Sequence, residues 1–189
     1  MRHKYETRAI VLSRSPVGEA SAFVAVLTPD IGLVRTLSQG VRKSGAKLAH
    51  ALITFSESDV VLVRGKDGWR LAGAVLAENW FARLGETSSR ARAGRICNLV
   101  LRLVAGEAHE QRLFPIIREF FEALSTFPAD VHEAVEILAA LRILAALGLD
   151  AEEIPNGEPM FAQAMLAEIL KDRTNYIARI NHDIEASGL

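Results

Sequence analysis

The chain has one cysteine in 189 residues and an aromatic content of only 6%, and both shortages limit what it can do. The single thiol, Cys97, forms neither an internal disulfide nor a zinc ribbon, which indicates a reducing, cytoplasmic setting. The five histidines are scattered, and none pairs with a cysteine or a carboxylate at metal-ligand spacing. Phosphate-loop and serine-nucleophile motifs are also missing. We therefore expect no catalytic residue, no metal and no cofactor, and a protein that is not an enzyme.

Long apolar runs are missing as well. No stretch of 18 or more uncharged apolar residues occurs, so no membrane-spanning helix is expected. The first residues, MRHKYETRAIVL, have neither an extended apolar core nor a small-residue cleavage site, so no signal peptide is expected either. With 50% hydrophobic and 24% charged residues, the composition is that of a globular protein without a membrane partner.

Charge is distributed unevenly, although the net charge is only −1. Residues 1–82 contain 11 Lys and Arg residues against 7 Asp and Glu residues, whereas residues 83–189 contain 11 against 16. Such asymmetry favours two domains with different partners. We therefore predict a mildly basic first domain over residues 1–82 and an acidic second domain over residues 83–189.

The first domain has the pattern of a small β-barrel. Alternating apolar residues predict five strands, and turn residues such as Pro29, Gly32 and the hairpin Gly65–Gly68 separate them. Five strands within about 75 residues fit an OB-fold, which is a five-stranded Greek-key barrel; a small sandwich or an SH3-like barrel is the alternative. The predicted strands cover residues 7–13, 22–28, 31–37, 52–64 and 69–79.

After residue 83 the apolar period changes from two to about 3.6, which is typical of helices. Stripes over residues 96–104 and 113–124 predict two amphipathic helices. Residues 130–147 are apolar nearly all round, as in a buried central helix, and Gly148 is placed to end it. One or two more helices are expected over residues 159–184. The predicted fold class is α+β, with an N-terminal five-stranded OB-like β-barrel followed by an all-α helical bundle.

Short motifs in both halves resemble one known family. In the barrel half they are Arg8-Ala9-x-Val11-Leu12, Gly18-Glu19-x-Ser21, Leu27-Thr28-x-Asp30-x-Gly32, Gly40-Val41-Arg42-Lys43-Ser44 and Phe55. In the helical half the motif is Leu141-Arg142-Ile143-Leu144-x-x-Leu147-Gly148-Leu149. In this order they resemble the RecO family of bacterial recombination mediator proteins, well over residues 7–80 and loosely over residues 90–149.

The resemblance implies a non-enzymatic accessory protein of DNA repair. It implies binding of single- and double-stranded DNA, annealing of complementary strands and engagement of the single-strand-binding protein. With a RecR-like partner, such a protein helps to load the RecA recombinase on coated DNA, in the bacterial cytoplasm at the nucleoid. Many members insert a four-cysteine zinc ribbon after the central helix, whereas Asp150–Asn156 stands there without a cysteine. The chain thus resembles a variant without that ribbon.

Basic side chains of the first domain are the candidate DNA-binding residues. Three of them lie in a glycine-containing connection between strands, and three lie on strands. Contacts from several such side chains to phosphates would dominate the affinity and make it salt-dependent. The alternative is a solvated loop without a partner. The six candidates are Arg42, Lys43 and Lys47 in the connection and Arg35, Arg64 and Arg70 on strands.

Aromatic contacts to bases are expected to be weak. Phe23 and Phe55 alternate with core residues, so we expect both rings to be buried. Trp69 follows a hairpin, where its ring either stacks on a base or packs against its own hairpin. Contacts to phosphates are therefore better supported than base stacking, and binding should be independent of sequence.

The second domain carries the candidate contact to a protein partner. Arg95 and Arg102 are seven residues apart and share one helix face, beside the apolar stripe that begins at Ile96. A cationic edge beside an apolar groove fits an acidic, hydrophobic peptide such as the tail of the single-strand-binding protein. The alternative is that both arginines only cover the bundle.

These observations favour a non-enzymatic nucleic-acid-binding mediator with no small-molecule substrate. A basic barrel would contact phosphates, and a helical bundle would recruit proteins. One alternative is a protein adaptor that keeps the barrel only as a scaffold. Another is an RNA-binding OB protein.

Overall fold

The computed structural model describes residues 3–42, 48–66, 68–104 and 110–188, with only the backbone of His3. The described residues form two compact units. One lies within Met1–Arg83 and Val104–Phe114, and the other lies within Leu84–Leu103 and Pro115–Leu189. Among the helices in the described ranges, none has the length and apolar character that a membrane crossing needs.

The first unit is built on a closed five-stranded barrel with the strand order β1-β2-β3-β5-β4. Neighbouring strands are antiparallel except β3 and β5, which are parallel. This ring confirms the predicted OB-like barrel and rules out an open sandwich. The strands are β1 (His3–Val17), β2 (Ser21–Thr28), β3 (Gly32–Ser38), β4 (Ser56–Gly65) and β5 (Gly68–Asn79).

The first strand serves two neighbours. Its first half, up to Ile10, pairs with β4, and its second half, from Ile10 onward, pairs with β2. It is longer than predicted at both ends. Its first residues are polar and exposed and therefore gave no apolar signal, and Pro16 lies in the strand rather than in a turn. The fourth strand begins four residues later than predicted, at Ser56.

Apolar side chains fill the barrel, and they come from every strand. The turn between β2 and β3 is held by Thr28, whose hydroxyl donates to the Gly32 carbonyl at 3.1 Å and accepts from the Ile31 N–H at 3.0 Å. Phe55 is buried, as predicted, with its backbone N–H donating to the Val11 carbonyl. The buried cluster includes Ala9, Val11, Val24, Val26, Val34, Leu52, Val60, Leu62, Trp69 and Leu71.

In the described ranges six helices follow the barrel, and all but the short first one lie after residue 83, where the apolar period was predicted to change. A 3-10 turn, Ala129–Val131, leads into the fourth helix. The predicted tail contains two helices that meet at Asp172. The helices are α1 (Trp80–Arg83), α2 (Thr87–Leu103), α3 (Leu113–Thr126), α4 (His132–Ala146), α5 (Gln163–Lys171) and α6 (Arg173–Ala186).

Helix α4 is the centre of the second unit, as its all-round apolar pattern predicts. Eleven of its fifteen residues are buried, and it packs against α2, α5 and α6. Gly148 adopts a φ of +71° just after the helix, and the Leu149 N–H donates to the Leu144 carbonyl at 2.9 Å. This is the left-handed C-terminal cap predicted for Gly148.

Two buried polar contacts join segments of this unit. Ser89 on α2 lies 3.3 Å from His132 Nδ1 on α4, and His132 Nε2 lies 2.8 Å from the Phe127 carbonyl. Since a carbonyl only accepts, Nε2 carries a proton, and in the neutral ring Nδ1 then accepts from the Ser89 hydroxyl. Asp150 and Arg179 form the second contact, an ion pair whose side chains are 2% and 13% exposed.

Candidate nucleic-acid interface

Three adjacent strands place a short row of side chains on the outside of the barrel. Phe23 on β2 is paired with Leu37 on β3, and Leu37 is paired with Arg70 on β5. Paired residues point to the same face of a sheet, and strands lie about 4.8 Å apart, so Phe23 and Arg70 start from backbones about 10 Å apart. Arg35 lies two residues before Leu37 and therefore shares this face. We call these four residues the β2–β3–β5 surface.

Phe23 is the unexpected member of this surface. The prediction that its ring is buried is wrong: the residue is 53% exposed. The buried set of β2 is the alternate one, Ala22, Val24 and Val26, which faces the barrel interior. The β2–β3–β5 surface therefore presents an aromatic face to solvent beside the half-buried Leu37.

The two arginines of the surface differ in their contacts. Arg70 is exposed, and its side chain has no hydrogen-bond or ion-pair partner in the part of the chain that the structure describes. Arg35 is also exposed, and one of its guanidinium N–H groups donates to the Val104 carbonyl at 3.5 Å. Within the described ranges, the Arg70 guanidinium is thus available to a ligand, while Arg35 is held in place beside it.

Arg42 lies at the start of the predicted basic connection. Its backbone N–H donates to the Ala20 carbonyl at 3.0 Å, and its guanidinium donates to the Gly18 carbonyl at 2.7 Å. These contacts attach the connection to the turn between β1 and β2. Lys43 and Lys47, the other two residues predicted there, lie outside the described residues.

Arg64 does not join the β2–β3–β5 surface. It is paired with Trp69, which precedes Arg70 and faces the barrel interior. The Arg64 guanidinium carbon lies 5.0 Å from the centroid of the Trp69 ring, and the Tyr5 ring meets the same indole edge-on at 5.2 Å. Trp69 is 9% exposed, so of its two predicted roles the structure shows packing.

Two acidic side chains of β4 are engaged elsewhere. Arg8 on β1 lies 2.8 Å from Asp59 and 3.4 Å from Glu57, both on β4. The indole N–H of Trp80 donates to the buried Glu57 carboxylate at 3.1 Å. Positive charge on the β2–β3–β5 surface is consequently not neutralised by these carboxylates.

The helical unit has an open groove of about 500 Å³ between α2, α4 and α6. Its apolar lining is contributed by all three helices, and Ile177 is 39% exposed. The principal apolar residues are Ile96, Leu99, Ile137, Ile177, Ile180 and Ile184.

Arg95 lies at this groove, whereas Arg102 is not among the described residues that line it. Arg95 donates to both carboxylate oxygens of Glu136, at 2.5 and 2.8 Å, and these hydrogen bonds raise the pKa of the Arg95 guanidinium. Arg92 also donates to Glu136. The structure therefore separates the two predicted arginines and pairs the first with a glutamate that spacing along the chain did not indicate.

The described residues bring no three His, Cys, Asp or Glu side chains together as a possible metal site. Cys97 is buried on α2, and burial raises the pKa of its thiol.

Sequence comparison identifies the barrel. Residues 1–79 match the family model described as "Recombination protein O N terminal". The chain carries the barrel domain of the RecO family. Its first domain is therefore a RecO N-terminal domain, as the motifs around Gly18 and Thr28 indicate.

Curated relatives named "DNA repair protein RecO" extend the match beyond the barrel. The protein from Dehalococcoides mccartyi (strain ATCC BAA-2266 / KCTC 15142 / 195) is 30% identical over 122 residues, which are 65% of this chain and 48% of that protein. The protein from Heliobacterium modesticaldum is 31% identical over 144 residues, or 76% of this chain and 51% of that protein. The protein from Synechococcus elongatus is 32% identical over 117 residues, or 62% and 44%. The chain spans about half the length of these RecO relatives.

Sequence reasoning missed two features of this chain. It missed the exposed ring of Phe23, because β2 is apolar on both faces and alternation alone does not say which set points inward. It also missed Glu136 as the partner of Arg95, because the two are 41 positions apart and only the packing of α2 on α4 brings them together. Nothing in the sequence beside Phe23 signalled its exposure, because no charged residue lies within three positions of it.

Proposed function

We propose that this protein is a non-enzymatic DNA repair protein that binds single- and double-stranded DNA through the β2–β3–β5 surface without reading its sequence. The observation that carries the proposal is Arg70, an exposed guanidinium without a partner in the described ranges, set beside Arg35 and Phe23 on adjacent strands. Family membership and the names of the RecO relatives supply the repair context.

Electrostatics makes the proposal quantitative. Each phosphate contact to a single strand contributes about 0.7 to the slope of log affinity against log salt concentration. If Arg35 and Arg70 of this surface, together with Arg42 at the start of the basic connection, each contact one phosphate, raising salt from about 50 to about 200 mM lowers the affinity roughly 20-fold. With only two contacts the loss is roughly 7-fold.

The test is fluorescence anisotropy with a labelled oligothymidine at these two salt concentrations. Arg70→Ala should bind more weakly at low salt and show the shallower salt dependence. Arg102→Ala is the matched control, because Arg102 is likewise exposed and lacks a partner in the described ranges, but lies on α2. An unchanged salt slope for Arg70→Ala would remove Arg70 from the interface, and no binding by the parent protein at low salt would refute the proposal.

The proposal extends to strand annealing and to loading of RecA on DNA coated by the single-strand-binding protein, with a RecR-like partner. Holding two strands by non-specific charge raises their local concentration, so annealing needs no hydrolysis. The test is pairing of complementary labelled strands, which Arg70→Ala should slow and Arg102→Ala should not.

The groove of the helical unit is the proposed site for the acidic, hydrophobic tail of the single-strand-binding protein. Its apolar lining suits the hydrophobic side chains of such a tail, and Arg92 and Arg95 would exchange Glu136 for a peptide carboxylate. Arg95→Ala should therefore weaken tail binding, whereas Glu136→Gln should strengthen it by releasing both arginines. If both variants bound a labelled tail peptide as tightly as the parent protein does, the groove would be excluded as the binding site.

A protein adaptor is the second candidate function, favoured by the presence of this groove in the helical unit. It predicts tail-peptide binding by a protein that binds no DNA even at low salt. RNA binding is separated from DNA binding by competing an RNA of the same sequence against the labelled DNA.

A further inference from the structure

The exposed ring of Phe23 is unexplained by phosphate binding. At 53% exposure it is the most exposed aromatic residue among the large hydrophobic residues on the described surface. It lies within a regular strand, paired with Ser15 on one side and Leu37 on the other, so its backbone is fixed. A large apolar ring held rigidly in water has a cost that a ligand with an aromatic face would remove.

The neighbours of Phe23 indicate the chemistry of that ligand. Leu37, directly opposite, extends the apolar area by one strand, and Arg70 follows on the next strand. Arg35 is the diagonal neighbour of Phe23, and diagonal neighbours lie about 7–8 Å apart, within reach of long side chains. Phe23 thus has one arginine on the adjacent strand and another two strands away. An apolar ring with guanidinium groups near it matches a nucleotide, in which a flat base is joined to a phosphate.

We infer that Phe23 is a stacking site for an unpaired nucleobase, and that it gives the barrel a preference for single-stranded over double-stranded nucleic acid. The inference rests on the proposed function, because it assigns the base contact of the same surface. In a duplex both faces of a base are covered by its neighbours, so only a single strand offers a base to this ring.

A protein partner is the competing occupant, and the charges argue against it. The apolar part of the β2–β3–β5 surface consists of one exposed ring and one half-buried leucine, while its other two residues are arginines. Protein interfaces have cores of several apolar side chains. Another exposed apolar residue, Val75 on β5, is 69% exposed but is paired with Asp59, which would repel a phosphate. Val75 is therefore the matched control.

The experiment compares the parent protein with Phe23→Ala, Phe23→Trp and Val75→Ala. Three labelled probes are used, namely oligothymidine, an abasic strand of equal phosphate number, and a duplex. Phe23→Ala should lower affinity for oligothymidine about 5- to 150-fold, equivalent to 1–3 kcal/mol for one stacked base. It should leave the salt slope and the affinities for the abasic strand and the duplex unchanged. Phe23→Trp should restore binding, and Val75→Ala should behave as the parent.

Each outcome separates this inference from the proposed function. If Phe23→Ala binds oligothymidine as the parent does while Arg70→Ala binds weakly, the stacking site is wrong and the phosphate interface stands. Equal losses on the abasic strand and on oligothymidine would also refute stacking. If the parent binds none of the probes, the proposed function itself fails. Far-UV circular dichroism of each variant checks that the barrel is intact. Because Phe23 is exposed, its replacement should not disturb the fold.

Discussion

The ion pair between Asp150 and Arg179 makes a quantitative prediction about stability. Arg179 Nη2 lies 2.7 Å from each carboxylate oxygen of Asp150, and Nε lies 3.3 Å from one of them. The same guanidinium donates to the Glu152 and Glu153 carbonyls at 2.9 and 3.0 Å. The pair thus fastens the segment after the central helix to α6, at the position where the four-cysteine ribbon stands in many RecO-family members.

Replacing Asp150 with Ala should destabilise the protein by about 3 kcal/mol. Removing one partner of a buried ion pair costs about 3–5 kcal/mol, because the other charge stays buried without compensation. The lower end applies here, since Arg179 retains the Glu152 and Glu153 carbonyls and the exposed Glu152 carboxylate, which lies 3.5 Å from its Nε. Urea unfolding, followed by helical circular dichroism at 222 nm, measures the change.

Two further variants make this prediction refutable. Asp150→Ala combined with Arg179→Met should be more stable than Asp150→Ala alone, because the uncompensated charge is gone. Lys4→Ala is the surface control: it breaks an ion pair with Glu6 whose side chains are 60% and 70% exposed, and should leave the free energy of unfolding nearly unchanged. A loss below 1 kcal/mol for Asp150→Ala, or a double variant less stable than the single one, would refute the reasoning.

Three other predictions concern the helical unit. Because burial raises the pKa of Cys97, the folded state keeps the thiol proton above about pH 9 while the unfolded state loses it. The free energy of unfolding should then fall by up to about 1.4 kcal/mol per pH unit, a component that Cys97→Ala removes in urea titrations between pH 8 and 10. Ser89→Ala should cost about 1–2 kcal/mol in the same assay because it leaves His132 Nδ1 buried without a donor; a change below 0.5 kcal/mol would contradict this. Gly148→Ala should cost about 1 kcal/mol in urea unfolding, since a φ of +71° is strained for alanine, and an unchanged midpoint would argue against that cap.

The sequence predicted the order and type of the elements because both depend on local periodicity. Strand β5 and helix α4 were located within one or two residues, since each is bounded by glycines or by a clear change in apolar pattern. The beginning of β1 was not predicted, because His3–Glu6 is mostly polar and is held in the sheet only by pairing with β4, more than 50 positions later.

The candidate site was predicted less well, because side-chain direction depends on tertiary contacts. Arg70 was found from its charge, but its place beside Phe23 follows from the β3–β5 pairing, which no local pattern reveals. Arg64 and Arg70 look equivalent in the sequence, yet Arg64 covers the Trp69 ring while Arg70 belongs to the outer surface. The sequence indicated Arg95 but not Glu136, the carboxylate that Arg95 would have to release in order to bind a peptide carboxylate.

The division of β1 at Ile10 has a consequence for how the barrel forms during synthesis. The second half of β1 pairs with β2, and β2 pairs with β3, so a three-stranded meander is complete once residue 38 has emerged. The first half of β1 then has no neighbouring strand until β4 has been synthesised. Strand β3 lacks its second neighbour until the beginning of β5 has been synthesised. Ring closure is therefore the late, non-local step, and it should set the folding rate of the domain. A nascent chain halted between β3 and β4 would carry two open strand edges, the state in which this barrel is most prone to pair with another chain.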